Sequence, residues 1–159
     1  MKCDRGTFLP LLLVIALAAC AGAAQGVGVF REAFDRLDAS IWKSYGRGEI
    51  RAENGVLHIV DCFVAAGKKD WSDYEIRFRA RAPEDAEQVQ IWAGFRCTDR
   101  DRRCAVALRG GNCDDVYVCK YARGGHNRIL ALEPLDFHPE PGRWYELRLI
   151  VAGTYVEVY

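Results

Sequence analysis

From residue 30 onward, apolar and polar positions alternate with a period of two. In Tyr74-Glu75-Ile76-Arg77-Phe78-Arg79-Ala80-Arg81, Tyr74, Ile76, Phe78 and Ala80 fall on one side and charges alone fall on the other. That is the pattern of a strand with one buried and one wetted face. Val89, Ile91, Ala93 and Phe95 form a second apolar row, opposite Gln90, Trp92, Gly94 and Arg96. The run from Trp144 to Tyr159 predicts a hairpin, with Gly153-Thr154 as a two-residue turn of positive φ at its first position. Its register pairs Val151 with Val156 and Leu149 with Val158, which keeps the apolar residues on one face. The proline-bearing stretch Glu133 to Trp144 predicts a crossover loop between strands. Short runs of this kind, punctuated by Gly, Pro, Asp and Asn and lacking a helical stripe, predict an all-β antiparallel sandwich.

The segment Phe95 to Gly125 concentrates four of the seven cysteines. A strand ending at Cys97, a turn through Thr98 to Arg103 and a return over Cys104 to Gly110 would pair Phe95 with Val106 and Ala93 with Leu108. The same register sets Cys97 opposite Cys104, where Cβ atoms lie about 4.5–5.5 Å apart, so a disulfide is expected to staple the hairpin. Two small buried thiols are the plainer alternative. With Leu108 inward, Val116 and Val118 should also face the core, turning Tyr117, Cys119 and Tyr121 to the other side. Cys113 could bridge Cys119, and Cys62 is an alternative partner for either. Five cysteines outside the leader leave at least one unpaired within the chain.

The intervals C-x6-C, C-x8-C and C-x5-C do not form zinc knuckles. Calcium through Asp99, Asp101, Asp114 and Asp115 fits no EF-hand spacing, and these read as solvated turn carboxylates. No cofactor is expected.

The first residues carry Lys2 and Arg5, an apolar run from Phe8 to Ala19 and then small residues. They read as a secretory signal over 1–20 followed by a short linker over 21–28. Leu17-Ala18-Ala19-Cys20 is similar to a bacterial lipobox, with Cys20 the acylated residue; ordinary cleavage near Ala21-Gly22-Ala23 is the rival. Either route predicts a secreted, periplasmic or outer-surface protein in an oxidising compartment, with the membrane reached through a lipid anchor alone. Charges balance, 22 basic against 22 acidic and interspersed, which excludes a nucleic-acid stripe.

The remaining chemistry lies on the face away from the core. Parity puts Gln90, Trp92, Arg96, Arg109, Tyr117 and Tyr121 together on three adjacent strands. Sugar C–H faces stack on Trp and Tyr while Gln and Arg bond hydroxyls. This is a candidate carbohydrate surface, unless a loop or further strand covers it. The histidines, His58, His126 and His138, are scattered and read as structural or exposed.

The order Phe30, Phe34-Asp35 and Trp42, then "IRAENGVLHI", "DYEIRFR", "WAGFR", "LRGGN" and "PGRWYELRL" resembles the concanavalin A-like lectin/glucanase superfamily. Within it, the chain is similar to bacterial 3-keto-disaccharide hydrolase-like and laminin-G-like domains. The resemblance covers nearly all of 29–159. It implies a two-sheet jelly roll with a carbohydrate-binding concave face, an N-terminal strand over Val27 to Phe34, and a last strand that this chain lacks. The expectation is therefore a domain cut short at Tyr159, with an edge open to a partner strand. The E-x-D-x-x-E strand of the related glucanases is absent, and retaining hydrolysis needs two carboxylates about 5–5.5 Å apart.

The expected function is thus a secreted or lipid-anchored, non-catalytic carbohydrate-binding module of a polysaccharide-processing protein, with a catalytic domain downstream as a further expectation. The alternatives are a glycoside hydrolase of the 3-keto-disaccharide type and a structural adhesion module working through a sheet edge.

Overall fold

A computed structural model of the chain describes residues 30–68, 71–99, 102–122 and 126–159. The signal segment, Cys20 and the 21–28 linker lie outside the described residues. Nine strands are found among the described residues: β1 (Lys43–Glu53), β2 (Val56–Ala65), β3 (Tyr74–Ala80), β4 (Gln90–Phe95), β5 (Arg103–Arg109), β6 (Asp115–Ala122), β7 (His126–Pro134), β8 (Tyr145–Ala152) and β9 (Tyr155–Val158). Every pairing is antiparallel, so the all-β antiparallel expectation holds. The strands fall into sheets of order β1-β2, β3-β8-β9 and β4-β5-β6-β7. Two compact units result: residues 81–143, and residues 30–80 with 144–159.

In the second of these units, β1 and β2 are joined by Asn54-Gly55, with φ of 53° and 73°. Two consecutive left-handed residues make the tight turn whose twist matches a hairpin, and Asn-Gly is the pair that adopts it with least strain. Tyr45 and Phe63, directly opposite across this hairpin, stack at 5.1 Å. Leu57 and Ile59 are fully buried on β2.

The β8–β9 register is the one the sequence predicts. Leu149 pairs with Val158 and Val151 with Val156, and Gly153 has φ 50°. Tyr159 extends the ladder, exchanging both backbone hydrogen bonds with Arg148 at 3.0 and 2.9 Å. On β3 the alternation holds in the second half of the strand: Phe78 and Ala80 are buried, opposite Leu147 and Tyr145 of β8, whereas Tyr74 and Ile76 are half-buried like the charged Glu75 and Arg77 beside them. On the other face, Glu75 pairs with Arg148 at 2.9 Å and closely with Arg77. The segment 30–34 does not form the expected N-terminal strand; Arg31 makes an isolated bridge.

In the unit spanning 81–143, the sheet is a meander whose neighbours follow one another in sequence. Ile91, Ala93, Phe95, Val106 and Leu108 lie buried on one face. The β4–β5 register differs from expectation by two residues: Phe95 faces Cys104 and Ala93 faces Val106. Cys97 is therefore not opposite Cys104, and both are free thiols, as are Cys62 and Cys119. The disulfide staple is corrected accordingly. Local chemistry accounts for the slip. Arg96 turns left-handed at φ 50° and ends the strand early. The turn then closes by Thr98 N–H to the Arg102 carbonyl at 3.0 Å, while Asp99 accepts from the Arg102 backbone at 2.8 Å and its guanidinium at 2.6 Å. A second difference is β7, which carries the sheet through Pro134, so the loop before β8 begins at Leu135 rather than Glu133.

Ile91 is completely buried in the β4 row, so Ile91→Ala should lower the unfolding free energy by about 2–5 kcal/mol. Urea unfolding would show this as a lower midpoint at unchanged slope; a loss below about 0.5 kcal/mol, the scale of a surface change, would contradict the assigned core.

Candidate functional site

The face of the meander opposite Ile91 and Val106 is built in cross-strand rows. Trp92, Ala107, Tyr117 and Leu132 stand abreast on β4 to β7, and Gln90, Arg109, Asp115 and Pro134 form the next row. Strands two apart are separated by roughly 9.6 Å, too far for side chains of ordinary reach to touch. Because Ala107 between them is small and buried, the Trp92 and Tyr117 rings lean together over it, edge to face at 5.9 Å. Ala105, also buried, extends this low floor toward Gly94 and Cys119.

Arg109 and Asp115 face each other at the mouth of the β5–β6 hairpin. Asp115 is 4 % exposed and accepts two hydrogen bonds of 2.6 Å, from Arg109 Nε and Nη2. A bidentate, charge-assisted pair of this kind fixes the guanidinium plane. It lies 4.5 Å from the Tyr117 ring centre, within cation–π range. Asp115 is thus a buried anchor, not the solvated turn carboxylate that its sequence context predicts. A second stack repeats one end away, with Arg103 4.2 Å from the ring of Tyr121. The Trp92 indole N–H donates to Gln90 Oε1 at 3.3 Å.

Burial pushes the Tyr121 phenol up to about 12, with Cys119 adding to the shift, and burial likewise raises Tyr117. Both phenols are therefore neutral at ordinary pH, and each is hydrogen-bonded to the Cys119 thiol. Burial also raises the Cys119 thiol, which keeps it protonated and unlike an activated nucleophile. The face therefore carries aromatic surface, neutral phenols and oriented guanidinium groups.

Of the residues expected here, Gln90, Trp92, Arg109, Tyr117 and Tyr121 share the face by register. Arg96 does not follow: its left-handed backbone lies past the end of β4, which breaks the alternation that assigned it. Arg103 and Asp115 are the members that sequence reasoning missed. Arg103 was assigned to the turn, and Asp115 lay beside Asp114 in an acidic loop; in-register parity from Arg109 was the available signal for Asp115. Asp114 itself points elsewhere, its Oδ2 accepting a hydrogen bond from His138 Nδ1 at 2.9 Å. Among the described residues no three His, Cys, Asp or Glu side chains gather to hold a metal ion.

Removing one partner of a buried pair strands the other charge, whereas an exposed pair contributes little. Asp115→Ala should therefore cost about 3–5 kcal/mol in urea unfolding, while Asp99→Ala, whose Arg102 partner is exposed, should cost under about 1 kcal/mol. Equal losses would contradict the burial argument.

No protein family, curated protein or solved structure matches the chain.

Proposed function

We propose that this chain is a non-catalytic carbohydrate-binding module, with an oligosaccharide seated over Trp92, Tyr117 and Tyr121. The observation that carries the reading is the row Trp92-Ala107-Tyr117, two half-buried rings meeting above a small residue, flanked by Arg109 held in place by Asp115. A pyranose ring presents an apolar C–H face edged by hydroxyls. Aromatic surface receives the first, and neutral phenols and a fixed guanidinium receive the second. Preorganisation matters because side chains frozen before binding lose no further rotamer entropy on it.

The concanavalin A-like jelly roll belongs to the same proposal. It is supported by the quoted motifs and by the long-range pairing of β3 with β8, which joins residues far apart in sequence. So do the secreted or lipid-anchored location, supported by the leader pattern, and a role in polysaccharide processing. The hydrolase alternative finds little support at Glu75. Arg148, with Arg77, holds its carboxyl below the usual carboxylate range, the opposite of what a general acid requires.

Titration calorimetry of the full chain against a panel of neutral and acidic oligosaccharides should find a binder without turnover. Trp92→Ala should weaken it at least tenfold, about 1.4 kcal/mol. Unchanged affinity in Trp92→Ala would remove the platform, and release of reducing sugar from plain or oxidised disaccharides would replace the module with a hydrolase.

A further inference from the structure

Strand β7 forms one edge of the meander, with β6 as its neighbour among the described residues. Its residues 127–134 are all exposed, and Ile129, Leu130 and Leu132 are 57, 49 and 47 % open. Three large aliphatic side chains on one open edge can template another strand; natural edges are blunted by charges, prolines, bulges or cover, and of these β7 carries Arg128, Glu133 and a bulge at Leu130. Here proline enters only at the end, as Pro134.

The segment Arg128-Ile129-Leu130-Ala131-Leu132-Glu133 is complementary to itself. Laid antiparallel on a second copy about the midpoint between Leu130 and Ala131, it sets Arg128 opposite Glu133 of the second copy. Ile129 then meets Leu132, and Leu130 meets Ala131. Residues directly opposite in an antiparallel pair must project from the same face. In a regular strand Arg128 and Glu133, five residues apart, would project from opposite faces and this register would fail.

The bulge in β7 removes the conflict. Val118 pairs with Ala131 but Cys119 pairs with Ile129, so Leu130 is the extra residue. Arg128 and Glu133 then stand abreast of Lys120 and Val116, on one face, while Ile129 and Leu132 stand abreast of Cys119 and Tyr117, on the other. Charge order, apolar order and the position of the bulge all satisfy the same two-fold arrangement.

We propose that β7 pairs antiparallel with β7 of a second copy, across a two-fold axis through the bulge, joining two four-stranded sheets into one. Such a contact is isologous, each half supplying both members of every pair. It rests on backbone ladder bonds, with side chains setting the register. Six residues a side make a small interface, so the dimer is weak and concentration-dependent. The proposal does not depend on sugar binding.

Sedimentation equilibrium of the full chain, from low micromolar to near-millimolar concentration, tests it. The wild type should pass from monomer to dimer. Arg128→Glu and Glu133→Arg should each weaken dimerisation at least fivefold, because each places two like-charged pairs across the axis. The double reversal should restore it. A wild type that stays monomeric, single variants that dimerise like wild type, or a double variant that fails to recover while its circular dichroism remains native would each overturn the proposal.

Discussion

The Arg109–Asp115 ion pair is the constraint on which the candidate site depends. It joins the last residue of β5 to the first of β6 and closes the hairpin mouth with two hydrogen bonds of 2.6 Å. Desolvating two charges is costly, and the Coulombic gain offsets that cost only when the geometry is good. The bidentate fork meets that condition. With the guanidinium fixed, its face has one place to lie, over Tyr117, and Tyr117 in turn meets Trp92. A single cross-strand pair thus orders three side chains on three strands.

Small residues do the complementary work. Ala105 and Ala107 occupy the middle strand of the site, and their short side chains lie buried, which lets the aromatic rings of the flanking strands meet above Ala107. The opposite face of β4 and β5 carries Ile91, Val106 and Leu108, all buried. The division of labour follows directly from strand alternation: odd and even positions of one strand serve different tasks, so the packing row and the candidate binding row can be altered separately.

Alternation also explains how much was legible in the sequence. The β8–β9 register was readable because Gly153 fixes the turn and leaves no room to slide. Which residues share the Trp92 face was readable because parity survives any shift of two. That same insensitivity concealed the true β4–β5 register. Phe95 opposite Cys104 satisfies the apolar rows as well as Phe95 opposite Val106 does, so the cysteine bridge rested on a choice that periodicity cannot make. The choice was made by the turn, through the left-handed Arg96 and the Asp99–Arg102 contacts, which no apolar pattern encodes. Asp115 was hidden for a related reason: its burial depends on Arg109 opposite it, a contact of register rather than of sequence neighbourhood.

The most direct test of the binding account observes the face itself. With nitrogen-labelled protein, the four tryptophan indole N–H resonances can be followed while cello- and laminari-oligosaccharides are added. The account predicts a saturable shift of the Trp92 indole, accompanied by the Arg109 Nε–H resonance, with Trp42, Trp71 and Trp144 unmoved. Saturable shifts at Trp71 or Trp144 with Trp92 unchanged would contradict it.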